Sequence, residues 1–424
     1  MIFFLFLIFC FYLPFQIALN PAEGIDLASS RVFAIIIFIL WLIQSLKNKR
    51  LNVPFSAQTL LLISFLIMNI LSVFYAENVD WAIRKLMFLL SFCPLYFVAS
   101  DFSRSKERFQ KIITFLLYGA GLAAFIGLLQ FSSQFFLGLN SSLELWQKIS
   151  ATFFGSSFSE AVLQYSSWLV GIGGKTYFRA IAFFPDPHMF SFYLEMLLPF
   201  GILLYFSENK STKKILFFII SLLILLAIIL TFSRGSYLGL IFGIVAALLI
   251  FKNKLRRILQ LIIIIGLTAI IISVIIPENP IIQRFSSILN FSEGSNLGRI
   301  ENWKQSWQVI SENPWLGVGL GNYPLAIKPS TTYREPIYSH NLYFDIASES
   351  GLINLGFWIL LIMASILGYI EKRRTNPVYS SGAISLIIFS AHALVETPIF
   401  SVQILPLLLI IIALGNNVKS KKIA

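Results

Sequence analysis

Apolar runs long enough to cross a bilayer recur from one end of this chain to the other, and they decide what it can become. About 30 Å of hydrocarbon takes roughly 20 helical residues. Backbone amides in lipid must be satisfied within their own segment, so such runs are read as helices. They fall near residues 1–19, 31–46, 55–75, 86–100, 112–138, 189–206, 215–231, 236–251, 258–276, 350–370, 379–394 and 399–415. Several are short for a span and borrow Ser, Tyr and Trp flanks in the interface. With 57% apolar and 12% charged residues, the 424-residue chain cannot be a set of soluble domains. The expectation is an all-α polytopic membrane protein of about twelve transmembrane helices, one integral domain over 1–424. The first run lacks a basic n-region and a small-residue cleavage signal, and is read as a retained span.

The net charge of +12 is not gathered on one face, which argues against a nucleic-acid partner. Basic clusters occupy every second connection: 47–50, 104–111, 210–214, 252–257, 371–374 and 419–422. The positive-inside rule makes that face cytoplasmic, with both termini on it. The two long connections, 139–188 and 277–349, then lie on the outer, periplasmic side of a bacterial inner membrane, where function is expected. In the first, LELWQKI and FSEAVLQYSSWLV have helical spacing and suit the interface. The larger one opens with Pro277 and Pro280, carries the amphipathic RIENWKQSWQVI, and breaks at Asn313-Pro314. The two halves show no related pattern, which weighs against a transporter.

Cys10 and Cys93 sit in apolar runs, and His188, His340 and His392 are the only histidines. Neither a disulfide framework nor a metal centre is expected, and no cofactor. Arg234, in ILTFSRGSYLGL, stands in a tight hairpin between two runs. A guanidinium beside a helix start, with Ser236 as its expected cap, suits an anion; the plainer reading is that Arg234 complements the preceding helix dipole and snorkels. His340, in YSHNLYFDIASESGLINLGFW, precedes a helix whose Asn341, Asp345 and Glu349 fall on one face. Its imidazole suits a general base; it is alternatively an interfacial hydrogen-bonding group, with Asp345 or Glu349 as the catalytic carboxylate. Arg299 lies near the amphipathic stretch, where Glu301 or the interface could satisfy it. Arg84 and Lys85, assigned to the second outer loop, are further candidates. GVGLGNYP follows no strand and is a turn-rich segment rather than a nucleotide loop. Upstream, FRAIAFFPDPHMFSFYLEMLLP puts Arg179, Asp186 and His188 at a helix entry fixed by Pro185 and Pro187, with Glu195 about two turns inside, where it needs a partner. His392 and Glu396, four apart, read as a local polar pair.

The FSRGSYLGL hairpin, LGRIENW followed by NPWLGVGLGNYP, and SHNLYFDIASESGLINLGFW, in that order, resemble the O-antigen ligase and polymerase superfamily over about residues 175–370. RAIAFFPDPHMFSFYLEMLLP is a weaker upstream match, departing from the family in His188, where an amide is expected. The resemblance implies a metal-independent glycosyltransferase whose donor is a glycan on undecaprenyl diphosphate. It implies that Arg234 and Arg299 hold the diphosphate and that His340 activates the acceptor hydroxyl, with inversion at the anomeric carbon. Arg84, Lys85 and Arg179 could add phosphate contacts. Expected partners are the lipid-linked glycan, an acceptor such as lipid A core, and the bilayer. Ligase comes first, polymerase second, protein O-oligosaccharyltransferase third; from another class, a secondary transporter or lipid-linked glycan flippase.

Overall fold

The structure is a computed structural model that describes residues 1–22, 25–49, 53–164, 166–251, 283–284, 294–333, 335 and 337–416. The expected ninth span at 258–276 and the basic clusters at 252–257 and 419–422 lie outside these residues. The described helices are α1 (Ile2–Tyr12), α2 (Ser29–Lys47), α3 (Ala57–Ser72), α4 (Val79–Phe92), α5 (Pro94–Phe102), α6 (Lys106–Phe136), α7 (Leu139–Phe154), α8 (Ser156–Gln164), α9 (Pro187–Ser207), α10 (Ser211–Leu230), α11 (Arg234–Ile250), α12 (Gly294–Glu312), α13 (Tyr323–Ile327), α14 (Leu342–Lys372), α15 (Ser380–His392) and α16 (Ile404–Leu414). Among the described residues seven helices are long and apolar enough to cross a membrane, counting α4 and α5 as one, and three shorter apolar helices accompany them. The chain is a multi-pass membrane protein.

Two small hairpins interrupt the helical pattern. Antiparallel strands β1 (Ala18–Ala22) and β2 (Ile25–Ala28) shorten the first span to its first fifteen residues. In the first outer connection, β3 (Leu169–Ile172) and β4 (Lys175–Phe178) pair in register from Leu169 and Phe178 to Ile172 and Lys175. Their two-residue turn is Gly173-Gly174, with φ of 60° and 73°, the left-handed pair that such a turn requires. FSEAVLQYSSWLV is therefore helical only to Gln164 and extended from Leu169.

At the centre stands α9, with 72% of its span buried, packed against α6, α10, α11 and α15. Asp186 caps it, accepting hydrogen bonds from the His188 and Met189 amides at 2.8 and 2.9 Å, and Pro187 occupies its first position. Lipid tails are as apolar as leucine, so helix association there leans on close packing and interhelical hydrogen bonds. Ser385 Oγ donates to Met196 O (2.6 Å), Gln58 Nε2 to Ala364 O (3.1 Å) and Tyr369 OH to Ile411 O (2.6 Å). These join α15 to α9, α3 to α14 and α14 to α16, each contributing on the order of 1 kcal/mol.

Helix α14 breaks at Gly351, whose φ of 85° is left-handed. A Cβ there would lie within 2 Å of Trp315 O, so the close approach of the 314–316 backbone needs a glycine. The break frees carbonyls, and the GVGLGNYP segment takes them: Val318 N–H donates to Ser348 O (2.8 Å) and Gly319 N–H to Glu349 O (3.0 Å). Its glycines serve a backbone-to-backbone seam. Asn322 continues that seam to α4, accepting from the Asn78 amide at 2.7 Å and donating to Asn78 O at 3.1 Å.

Candidate active site

Three turns converge at one end of α9. The first, 179–186, leads from β4 into α9; the second joins α10 to α11; the third, 337–341, enters α14. Among the described residues four non-glycine residues hold a positive φ, and three of them stand in these turns: Ala182 (46°), Phe232 (50°) and His340 (53°). Each such conformation costs on the order of 1 kcal/mol and survives where surrounding contacts over-determine it.

The α10–α11 turn shows what those contacts are. Helix α10 ends at Leu230, and its last carbonyls need donors. Ala180 N–H donates to Leu230 O (3.0 Å), Arg179 Nε to Thr231 O (2.6 Å) and Arg284 Nε to Phe232 O (3.1 Å). Burial, and then the neighbouring Arg284 charge, push Arg179 down to about 9, so it stays cationic at neutral pH. Its Nη2 is buried without a hydrogen-bond partner among the described residues. The C-terminal dipole of α10 is thus met by Arg179 and Arg284. Arg234 is instead the first residue of α11 and is buried. A cation at the positive end of a helix is electrostatically disfavoured, and the two together concentrate positive potential. The N-cap is Ser233, not Ser236; Ser236 Oγ donates back to Ser233 O at 2.8 Å. Ser233 Oγ is hydrogen-bonded to His188 Nδ1 at 2.9 Å.

The centre of the constellation is Glu396, which the sequence reading paired with His392. It lies past the end of α15, where helical i,i+4 adjacency no longer holds. Its Oε1 accepts from Arg299 Nη2 at 2.8 Å and its Oε2 from His340 Nδ1 at 3.1 Å; His188 Nδ1 lies 3.8 Å from Oε1, too far for a hydrogen bond. Burial alone would raise the Glu396 carboxyl, but His188, His340 and Arg299 outweigh it and hold it well below the usual carboxylate range. Burial likewise opposes charge on His340, and the charge and hydrogen bond of Glu396 overcome it, raising His340 above its ordinary value. A carboxylate can only accept, so neutral His340 carries its proton on Nδ1 and leaves Nε2 as a base. The His340 side chain keeps 31% of its exposure, against 5% for Glu396. Arg299 Nε is buried and has no partner among the described residues.

Asp345 braces the assembly. It accepts from the Ser339 amide at 2.9 Å and from the Thr397 hydroxyl, tying the residue before His340 to the residue after Glu396. Tyr338 packs beside the imidazole with ring centroids 4.5 Å apart. Arg234 opens the helix whose next residue abuts this place: a Cβ on Gly235 would lie 2.4 Å from His392 Cδ2 and 2.8 Å from Val395 Cγ2. Arg299 and His340 share Glu396, and Arg179 feels the charge of the same carboxylate.

Arg84, Lys85 and Glu349 do not join it. The first two are on α4, not in a loop. Lys85 Nζ pairs with Glu349 at 2.6 Å and sits 3.8 Å from the Phe400 ring centroid, while Arg84 lies over Tyr333 at 5.2 Å. Burial pushes Asp186 up to about 6, with the Glu396 charge adding to it. Glu195 found its partner in His392 Nδ1 at 2.6 Å, both fully buried.

Residues 219–359 match the family model described as O-antigen ligase. The chain is 28% identical over 231 residues to the ComP-specific O-oligosaccharyltransferase of Acinetobacter baylyi, covering 52% of this chain and 41% of that protein. It is 29% identical over 212 residues to the O-antigen polymerase of Salmonella muenchen, covering 48% and 49%. An uncharacterised protein of Haemophilus influenzae is 29% identical over 196 residues, covering 41% and 48%. The matched part thus spans somewhat under half the length of each of these curated relatives.

Proposed function

Since the chain belongs to the O-antigen ligase and polymerase superfamily, with the family domain over 219–359, we propose that it is a glycosyltransferase. It moves a glycan from a lipid diphosphate to an acceptor hydroxyl at the end of the bundle carrying His340, taken as the periplasmic end of a protein in the bacterial inner membrane. The observation that carries this reading is the Arg299–Glu396–His340 line, with one carboxylate oxygen on each partner. In the reaction, Nε2 of His340 takes the acceptor's proton, the acceptor oxygen forms its bond to the anomeric carbon, and the sugar–phosphate bond breaks with its electron pair on the diphosphate. A single direct displacement inverts the anomeric centre. Arg234 and Arg299 hold the leaving diphosphate, and Arg179 adds to the positive field. The unpartnered buried donors Arg299 Nε and Arg179 Nη2 suit that charge, since each charge-assisted hydrogen bond contributes on the order of 1.5–3 kcal/mol. Asp345 and Glu396 are positioning residues for His340, and Lys85 and Glu349 are structural.

Undecaprenyl diphosphate is the donor carrier and lipid A core the acceptor in the ligase form of this proposal. The named relatives favour the rivals, a polymerase and a protein O-oligosaccharyltransferase. Purified protein incubated with lipid-linked glycan and each acceptor decides between them. Transfer to lipid A core that disappears in His340→Ala supports the ligase. Transfer only to a second lipid-linked glycan or only to a protein hydroxyl replaces it with the corresponding rival. Full turnover in His340→Ala removes the site assignment.

A further inference from the structure

A second cationic cluster lies at the same end of the bundle, outside the Glu396 constellation. Three basic side chains stand there on α2 and α4, and among the described residues Lys85 alone of the three has a carboxylate, Glu349. Arg31, at the start of α2, lays its guanidinium along α4: Nε donates to Ser91 Oγ (3.1 Å), Nη2 to Met87 O (3.3 Å), and the group lies 5.7 Å from the Phe88 ring centroid. Arg84 stands one turn earlier on that α4 face, exposed and stacked on Tyr333 at 5.2 Å, and Tyr333 packs edge-on to Trp81. Among the described residues neither guanidinium pairs with a carboxylate, and their contacts are with neutral groups and rings.

Two guanidiniums brought to one face of α4, with no carboxylate between them among the described residues, suit the oxygens of a phosphate. What lies along the bilayer from them suits acyl chains. Ile35, Ile36, Ile39 and Ile43, on the turns of α2 that follow Arg31, and Met87, beyond Arg84 on α4, are large apolar side chains left exposed. Cations above a lipid-facing apolar strip, with Trp81 and Tyr333 at headgroup level, fit a phospholipid rather than a soluble anion. We propose that Arg31 and Arg84 form a seat for the phosphate of an anionic membrane lipid, its chains lying on the α2–α4 face. This seat does not depend on the glycan-transfer reading. Phe88, under the Arg31 guanidinium, packs against Phe400 at 6.2 Å, in the same chain segment as Glu396.

The test is lipid retention by the full chain in detergent, read by native mass spectrometry while phosphatidylglycerol, phosphatidylcholine or free glycerol 3-phosphate is titrated. Phosphatidylglycerol is expected to bind on the order of tenfold more tightly than phosphatidylcholine, and Arg84→Gln and Arg31→Gln are each expected to erase that preference. Arg31 also holds α2 to α4, so Arg84→Gln, a side chain whose contact among the described residues is the Tyr333 ring, is the decisive variant. Unchanged phosphatidylglycerol preference in Arg84→Gln overturns the seat. Displacement of the lipid by millimolar glycerol 3-phosphate overturns its assignment to lipid, leaving a site for free phosphate.

Discussion

Two carboxylate–histidine pairs involve the end of α15, one through its last residue, His392, and one through Glu396 in the loop that follows, and they are built on opposite principles. Glu195 and His392 are both sealed, 0% exposed, joined one to one at 2.6 Å, with the imidazole stacked flat on Phe192 at 3.6 Å between centroids. Glu396 instead gives one oxygen to Arg299 and the other to His340, and this histidine stays partly open. The sealed pair spans α9 and α15 and presses on Gly235 of α11, so it fixes helices. The open pair joins the turn before α14 to the loop after α15, and Nε2 of its imidazole is left for something that arrives. A histidine bound to a carboxylate is therefore a poor marker of chemistry by itself; the marker is which ring nitrogen remains and what can reach it.

Four substitutions test that contrast, from the largest effect downward. His340→Ala is expected to cost about 10²–10⁴-fold in transfer with little change in thermal stability, measured on the same preparation. In the sealed pair the effect should fall on folding instead. Glu195→Leu strands the buried His392 Nδ1–H and is expected to cost about 1–3 kcal/mol, whereas Glu195→Gln keeps an acceptor and should be mild. A folded Glu195→Gln protein without activity would erase the distinction drawn between the pairs. Arg299→Lys keeps the charge but loses the planar fork, and should raise the donor KM about tenfold while leaving acceptor KM in place.

The smallest effect is on pH. His340 is raised above its ordinary 6.5 because Glu396 favours the imidazolium, and the base form exists only above the raised value. Activity should therefore climb with pH through a midpoint above 6.5 in the native protein. Glu396→Gln should move that limb to lower pH, because the charge that favours the imidazolium is removed. The same linkage fixes the sign for stability. The His340 contribution is full below 6.5 and is lost as pH rises through the raised value. The Glu396 contribution is full above the ordinary 4.5 and is lost as pH falls through its depressed value. A pH–activity profile unmoved in Glu396→Gln would detach Glu396 from the base.

Much of this was legible because membrane helices announce themselves: a run such as 211–230 has to be helical whatever it packs against. Arg234 stood out for a related reason, since charge at membrane depth needs an explanation; His340 stood out as an imidazole at a helix entry, and Arg299 through the family resemblance. Glu396 was misread because spacing of four implies contact only inside a helix, and α15 ends at His392. The link from Lys85 to Glu349 joins residues 264 positions apart, and no local pattern carries that. The strand pair around Gly173-Gly174 did leave a signal, two glycines between short β-compatible runs, which the aromatic, helix-like spacing of the preceding residues obscured. The cap of α11 shifted from Ser236 to Ser233 because the turn residues are held from outside, by Arg179 and Arg284.

The sharing of Glu396 bears on what the proposed site can mistake for its substrate. Arg299 is already answered by a tethered carboxylate, which competes at high effective concentration. A small phosphate drifting in from solution must evict that resident and gains one foothold in return. A diphosphate anchored in the bilayer comes with its tail already housed and meets the start of α11 as well. Visitors are sorted by how many places they can grip together, so inorganic phosphate at millimolar concentration should be a feeble inhibitor.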